Sequence, residues 1–299
     1  MSQKISVQAW LYLATISMIW GSSFILIKKG LVVFEPTQLA CLRIFLAMLA
    51  MSPLIFSSSK QIKRTDLPAI TGIAIIGTGI PAFLYATAQT QLDSSVAAIL
   101  NSLTPLFTLI IGLLFFKTKL HLAKIFGVLF GLVGAVNLVL QTSSNNSLEV
   151  SSYLYAGLII FGTICYGTSI NLLKTYAQHV PAIALNATLF AIIGPFAGLY
   201  LFAATDFVSV MQTNEGAWQA FGYVCLLSVF GTALATIIFF KLAQLTDALF
   251  SSTVTYLIPI VALFWGFLDG EIISLSHILG LCLISVSYTH LRAHETCGH

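Results

Sequence analysis

Arg43 is the side chain hardest to accommodate, because it stands about two helical turns into an apolar run that begins at Pro36. A guanidinium within hydrocarbon costs at least ~2.5 kcal/mol on insertion scales, so a charge at that depth is a candidate for function. Either it reads a substrate carboxylate bidentately, or it snorkels outward or caps carbonyls exposed by a neighbouring kink. Other groups able to hold a solute lie in similar apolar runs. Asn101, Thr104, Thr255 and Tyr256 fall a turn or so before Pro105 and Pro259. Trp20, Ser22 and Ser23 in the first run are mirrored by Tyr166, Thr168, Ser169 and Asn171, and Tyr85 stands one turn after Pro81. Aromatic rings with a few amides and hydroxyls suit a small amphipathic organic solute. Ser, Thr and Asn also tie helices together at about 0.6 kcal/mol each, so each has both a contact and a tie reading.

Helix breakers recur beside these groups. Proline removes a backbone hydrogen bond and frees carbonyls, which membrane depth tolerates only where protein or water covers them. Gly77, Thr78, Asp93 and Pro105 answer, at one constant spacing, to Gly231, Thr232, Asp247 and Pro259. Matched Gly/Pro interruptions in two halves point to a binding site at the bilayer midplane, with Gly77, Pro81, Pro105, Gly231 and Pro259 as hinge or cavity-lining positions. Kinking and close packing are the competing reading.

Chemistry of other kinds lacks its parts. No paired intramembrane aspartates, His-Glu metal helix or Ser/His pair is present, so no enzyme is expected. Cys41, Cys165, Cys225 and Cys282 fall in apolar runs and read as small packing residues. His290, His294, Cys297 and His299 offer metal ligands, but His299 follows His294 at the fifth position, off the shared face of a zinc-protease helix. The tail 287–299 resembles a translated adaptor sequence and is set aside from the functional reading. No cofactor or metal is expected.

The elements that must position these groups are membrane helices. With 58% apolar and 8% charged residues in 299, the chain cannot solvate a globule, and about 20 apolar residues suffice to cross hydrocarbon as helix. Spans are expected at 7–27, 36–56, 67–88, 95–116 and 122–140, then after a polar linker, 141–152, at 153–173, 181–202, 217–240 and 249–268. A tenth begins at 275 and is cut short near 286. The expected units are therefore 1–140 and 153–286. Trp20-Gly21-Ser22-Ser23 returns as Tyr166-Gly167-Thr168-Ser169, each with a lysine further along, Lys28 and Lys174. Five spans per half makes the halves cross in opposite senses, an all-α fold of two inverted five-helix repeats.

Charge sets the orientation. Lys4, Lys60, Lys63, Arg64, Lys117, Lys119, Lys124, Lys174 and Lys241 share one side, whereas Lys28 and Lys29 fall on the other with most of the acids. The positive-inside rule puts the amino terminus in the cytoplasm. The net charge of +3 is thus a topology signal, and no nucleic-acid partner is expected. The partners are the bilayer and a small-molecule substrate, with the chain a monomer or a homodimer.

Two five-span halves, Trp20-Gly21-Ser22-Ser23, Leu42-Arg43 and Asn101 four residues before Pro105 resemble the EamA-type, ten-helix exporters of the drug/metabolite transporter superfamily, over about residues 7–286. The resemblance implies an alternating-access carrier in a bacterial inner membrane, exporting amino acids or related amphipathic metabolites. The same fold in more distant branches carries nucleotide sugars and sugar phosphates, which call for several cavity cations, where only Arg43 is available. Members commonly carry an acid after the fourth span. Lys117 holds that place here, and Glu271 holds the equivalent place after the ninth, a departure that weakens any mechanism needing two symmetric acids. No Asp or Glu lies mid-span, so uniport, or coupling through a peripheral acid such as Glu271, is expected.

Overall fold

The computed structural model describes residues 6–116 and 151–271. Among them all regular structure is helical, and eight helical segments are long and apolar enough to cross a membrane. Helices α1 (Val7–Leu31) and α2 (Pro36–Ser58) are unbroken. The third crossing joins α3 (Leu67–Ala74) to α4 (Ile80–Ala88) through a π-helical stretch, Ile75–Gly79. The fourth is α5 (Ser94–Asn101) followed by α6 (Thr104–Phe115). Next come α7 (Ser151–Leu172), ending in a π-helical turn, and α8 (Ala182–Ala204). A short α9 (Phe207–Thr213) leads to α10 (Ala217–Leu226), a second long π-stretch, Leu227–Leu234, and α11 (Ala235–Leu245). The last described crossing is α12 (Ala248–Ser252) with α13 (Val254–Leu268). The spans expected at 122–140 and from 275, Lys117 and the tail 287–299 lie outside the described residues.

Local chemistry explains several boundaries. Ser6 caps α1, its Oγ accepting from the Ala9 amide at 3.2 Å, and Asp247 caps α12 by accepting from the Phe250 amide at 2.7 Å. Pro36 opens α2, where its missing N–H costs nothing. Helix α1 runs to Leu31, past the end expected at 27, because Lys28 and Lys29 are neutralised by acids from the α13 end and need not terminate it. The two repeat-related prolines behave differently. Pro105 sits in the first turn of α6, directly after a break, whereas Pro259 lies inside α13 and the break on that crossing comes earlier, at Thr253.

Helices α2 and α8 pack closely through small residues, as membrane helices without a hydrophobic drive between them tend to do. Gly194 faces Met48 and Gly198 faces the Phe45 ring so closely that a Cβ at either glycine would overlap the opposite side chain. Contacts at the ends of the helices fix their senses. Trp10 meets Phe250 edge-on at 5.4 Å, and Lys28 meets Asp269 and Glu271, so α1 and α13 run the same way. Lys174, near the end of the crossing that starts with α7, donates to the carbonyls of Ala243 (2.7 Å) and Thr246 (2.5 Å). Thr246 lies just before α12, so that crossing ends on the face where α1 begins.

Candidate functional site

A cavity of about 120 Å³ opens where the helix irregularities converge. Helix α1 contributes Trp20, Ser23, Phe24 and Ile27, whose i, i+3, i+4, i+7 spacing is one helical face. Thr232, Thr236, Phe239 and Phe240 form a similar stripe running from the second π-stretch into α11. The third crossing lines the cavity with Ile73 and Gly77 and then with Ala82 and Tyr85. In an unbroken α-helix, Ile73 and Ala82 would point about 180° apart. The extra residue accommodated in a π-stretch takes back about 100° of that rotation, which brings both onto one side.

Arg43 reaches the cavity from α2, and its Nε donates to Thr232 Oγ1 at 2.7 Å. Thr232 in turn donates five residues back to the Leu227 carbonyl at 3.0 Å, a link that the π geometry makes available. The guanidinium therefore rests on a hydroxyl rather than a carboxylate. Nearby, Trp20 Nε1 donates to the Gly231 carbonyl at 2.9 Å and the indole packs on Phe239 with centroids 5.1 Å apart. Across the cavity Tyr85 donates its hydroxyl to Asn101 Oδ1 at 2.5 Å. Its ring lies 5.7 Å from Tyr166 and 6.0 Å from Phe24. Thr104 and Thr255 line the wall while donating to carbonyls three residues back, Asn101 and Ser252.

The structure brings Trp20, Ser23, Arg43, Tyr85, Asn101, Thr104, Tyr166 and Thr255 to one cavity, together with Gly77 and Gly231. Two expected contact residues stand elsewhere. Asn171 is an interhelical tie, its amide donating to the Thr108 carbonyl at 2.9 Å and to the Gly167 carbonyl at 2.8 Å. Tyr256 is buried in the cluster containing Phe24 and Tyr85 and is not among the lining residues. Pro81, Pro105 and Pro259 are likewise outside the lining, and their part is in helix geometry. The residues that sequence reasoning missed are chiefly Phe24, Thr236, Phe239 and Phe240. Their helical stripes were available as a signal, but in an apolar chain lipid-facing stripes look the same.

A second polar cluster lies at the face where α1 ends. Lys28 Nζ stands 2.8 Å from both Asp269 Oδ2 and Glu271 Oε1, and Lys29 pairs with Asp269. Glu271, its side chain only 2% exposed, accepts from the hydroxyls of Ser94 (2.7 Å) and Ser95 (2.6 Å) and from both backbone amides. It thereby caps α5 in the first half from the end of α13 in the second. Gly270, at φ 82°, makes the turn that folds Glu271 back, and Gly266 leaves room for its carboxylate. Burial pushes the Glu271 carboxyl up, but hydrogen bonds from Lys28, Ser95 and Ser94 and the Lys28 charge hold it below the usual carboxylate value.

Residues 8–140 and 153–291 match the EamA-like transporter family. An uncharacterized transporter of Archaeoglobus fulgidus is 23% identical over 93% of this chain and 96% of its own. The uncharacterized inner membrane transporter YedA of Escherichia coli is 26% identical over 89% and 84%. A probable amino-acid metabolite efflux pump of Salmonella typhimurium is 25% identical over 54% and 52%. A solved crystal structure shares the fold with a TM-score of 0.69 at 14% identity, covering 95% of this chain and 96% of that one. The chain belongs to the EamA-like transporter family, and with its apolar helices it is an integral membrane transporter.

Proposed function

We propose that the protein exports small amphipathic organic metabolites, amino acids or chemically related solutes, by alternating access between two inverted five-helix halves in a bacterial inner membrane, with the amino terminus in the cytoplasm. The observation that carries this reading is the central cavity, where both π-stretches meet aromatic walls and a single guanidinium. A site that a solute must enter from one side and leave from the other needs walls able to rearrange, and π-stretches are frequent at functional sites. The senses of the α1 and α7 crossings support the inverted arrangement, and the names of the Salmonella and Escherichia relatives support metabolite efflux and the inner membrane. Trp20, Ser23, Arg43, Tyr85, Asn101, Thr104, Tyr166 and Thr255 are the contact residues in this reading.

An untargeted comparison of metabolites released by cells with and without the protein tests it. A defined set of small amphipathic metabolites should fall in the medium and rise inside cells lacking it. Unchanged profiles, with the protein present in the membrane of the control cells, would overturn the reading.

A further inference from the structure

We infer that Thr78, Tyr166 and Ser169 form the subsite that takes the α-ammonium group of the solute, so that the carrier selects amino acids over the corresponding carboxylic acids. This rests on the exporter reading above and narrows its substrate class. The three residues line the cavity. Among the described residues none of their hydroxyls makes a hydrogen bond, and none of the three oxygens is enclosed by protein. Their counterparts in the internal repeat are all engaged. Thr232, which answers to Thr78, donates to the Leu227 carbonyl and accepts from Arg43. Trp20, in the place of Tyr166, donates to the Gly231 carbonyl, and Ser23, in the place of Ser169, donates to the Ile19 carbonyl at 3.0 Å. The repeat thus sets the same three positions on the cavity twice, and one copy keeps its polar atoms for a ligand.

A free hydroxyl offers two lone pairs beside its proton, and an ammonium has three N–H bonds to satisfy. Without partners it would lose its hydration on entering the cavity and gain nothing in return. Among the described lining residues there is no carboxylate to receive it, so neutral oxygens and ring faces must. Tyr166 brings both. Its ring lies 5.7 Å from that of Tyr85, which stands 6.0 Å from Phe24, and aromatic faces attract ammonium groups. Ser169 follows Tyr166 by three residues on α7, which puts the two on one side of the helix. Ser169 also packs against Gly77, the chain neighbour of Thr78, so the third hydroxyl comes from backbone already in contact with the second. Tyr166 lies within electrostatic reach of Arg43. The subsite therefore adjoins the guanidinium, as an α-amino acid requires, because one carbon carries both of its charged groups.

Phenylalanine and 3-phenylpropionate differ only in the amino group, and their movement at pH 7 into proteoliposomes containing the full chain tests the assignment. Phenylalanine should move faster by about tenfold or more, the range expected when a site built to hydrogen-bond a charged group meets a solute lacking it. Thr78→Val, Tyr166→Phe and Ser169→Ala each remove one hydroxyl. Each should raise the KM for phenylalanine several-fold and leave that for 3-phenylpropionate within about twofold, whereas Thr78→Ser should stay close to the unsubstituted protein. Movement of 3-phenylpropionate reports that a variant is folded, and three separate substitutions keep the test standing should one of them fail to fold. Equal losses on both solutes, or no loss on either, would overturn the assignment and leave the exporter reading standing, as would equal movement of the two solutes through the unsubstituted protein. Movement of neither would also overturn it, and the metabolite comparison would then decide the exporter reading separately.

Discussion

Gly77, in the first π-stretch, packs on Ser169 of α7, and Gly231, in the second, packs on Ser23 of α1. Gly77 corresponds to Gly231 in the internal repeat and Ser23 to Ser169, so each half places its π-stretch glycine against the serine of the other. A second crossed pair accompanies it. Gly21 of α1 faces Ile258 and Val261 of α13, and Gly167 of α7 faces Phe107 and Thr108 of α6. Approaches this close are possible only without a Cβ, and they bring both π-stretches to the same cavity.

The two glycine contacts differ in detail and predict different rescues. A Cβ at Gly231 would meet Ser23 Oγ at 2.5 Å but Ser23 Cβ only at 3.6 Å. Gly231→Ala should therefore cost about 1–3 kcal/mol as overpacking, and Ser23→Ala should relieve most of it. At Gly77 the added carbon would meet both Ser169 Oγ and its Cβ, the latter at 2.6 Å. Ser169→Ala should leave Gly77→Ala destabilised, and Ser169→Gly should restore it. Unfolding temperatures of the three double variants in detergent check this, and equal rescue by Ala at both sites would contradict the crossed geometry.

Tyr85 and Asn101 should behave as one unit. Tyr85→Phe leaves the buried Asn101 acceptor without its 2.5 Å partner, at a cost of about 1–3 kcal/mol. Asn101→Leu in that background should cost much less than Asn101→Leu alone, because the interaction is already lost. A thermal double-variant cycle measures the coupling, and additive losses would show that the two side chains act separately.

Much of this arrangement was legible in the chain. The repeat of Gly77-Thr78 as Gly231-Thr232 marked the two π-stretches, and Arg43, Trp20, Tyr85 and Asn101 stood out because polar or large aromatic groups are conspicuous in apolar runs. What was hidden is rotational. Whether Asn171 faces a cavity or a neighbouring carbonyl depends on the azimuth of α7, which the spacing of Thr163, Thr168, Ser169 and Asn171 does not settle. Likewise Phe239 and Phe240 line the cavity only because a π-stretch upstream turns α11. Proline gave the level of the breaks but not their place, since Pro259 sits within a continuous helix and the backbone gives way at Thr253.

Glu271 should support the fold above its own titration and not below it. Its folded value is depressed, so its contribution is fully present above the ordinary glutamate value of about 4.3 and is lost as pH falls through the lower folded value. Glu271→Gln should lose about 1.5–3 kcal/mol at pH 7 as charge-assisted bonds from Lys28, Ser94 and Ser95 weaken. The difference in unfolding temperature between the two proteins should narrow below about pH 4. A difference that stays constant down to pH 3 would show that shape rather than charge is what α5 needs at that position.

The same bonds bear on energy coupling. A carboxylate that carries protons must be exposed to each side in turn and must titrate near the working pH, whereas Glu271 is enclosed by five donors and held ionised. Among the described residues the cavity itself offers no carboxylate. Transport in proteoliposomes should therefore proceed down the solute gradient without an imposed proton gradient, and its rate should change little between about pH 6 and 8, where ordinary carboxylates stay ionised. A carrier of this kind lowers the barrier between two accessible states and leaves direction to the solute. Solute accumulation driven by a proton gradient, and lost in Glu271→Gln, would instead show that the α5 cap opens during each cycle and releases its carboxylate to take up a proton.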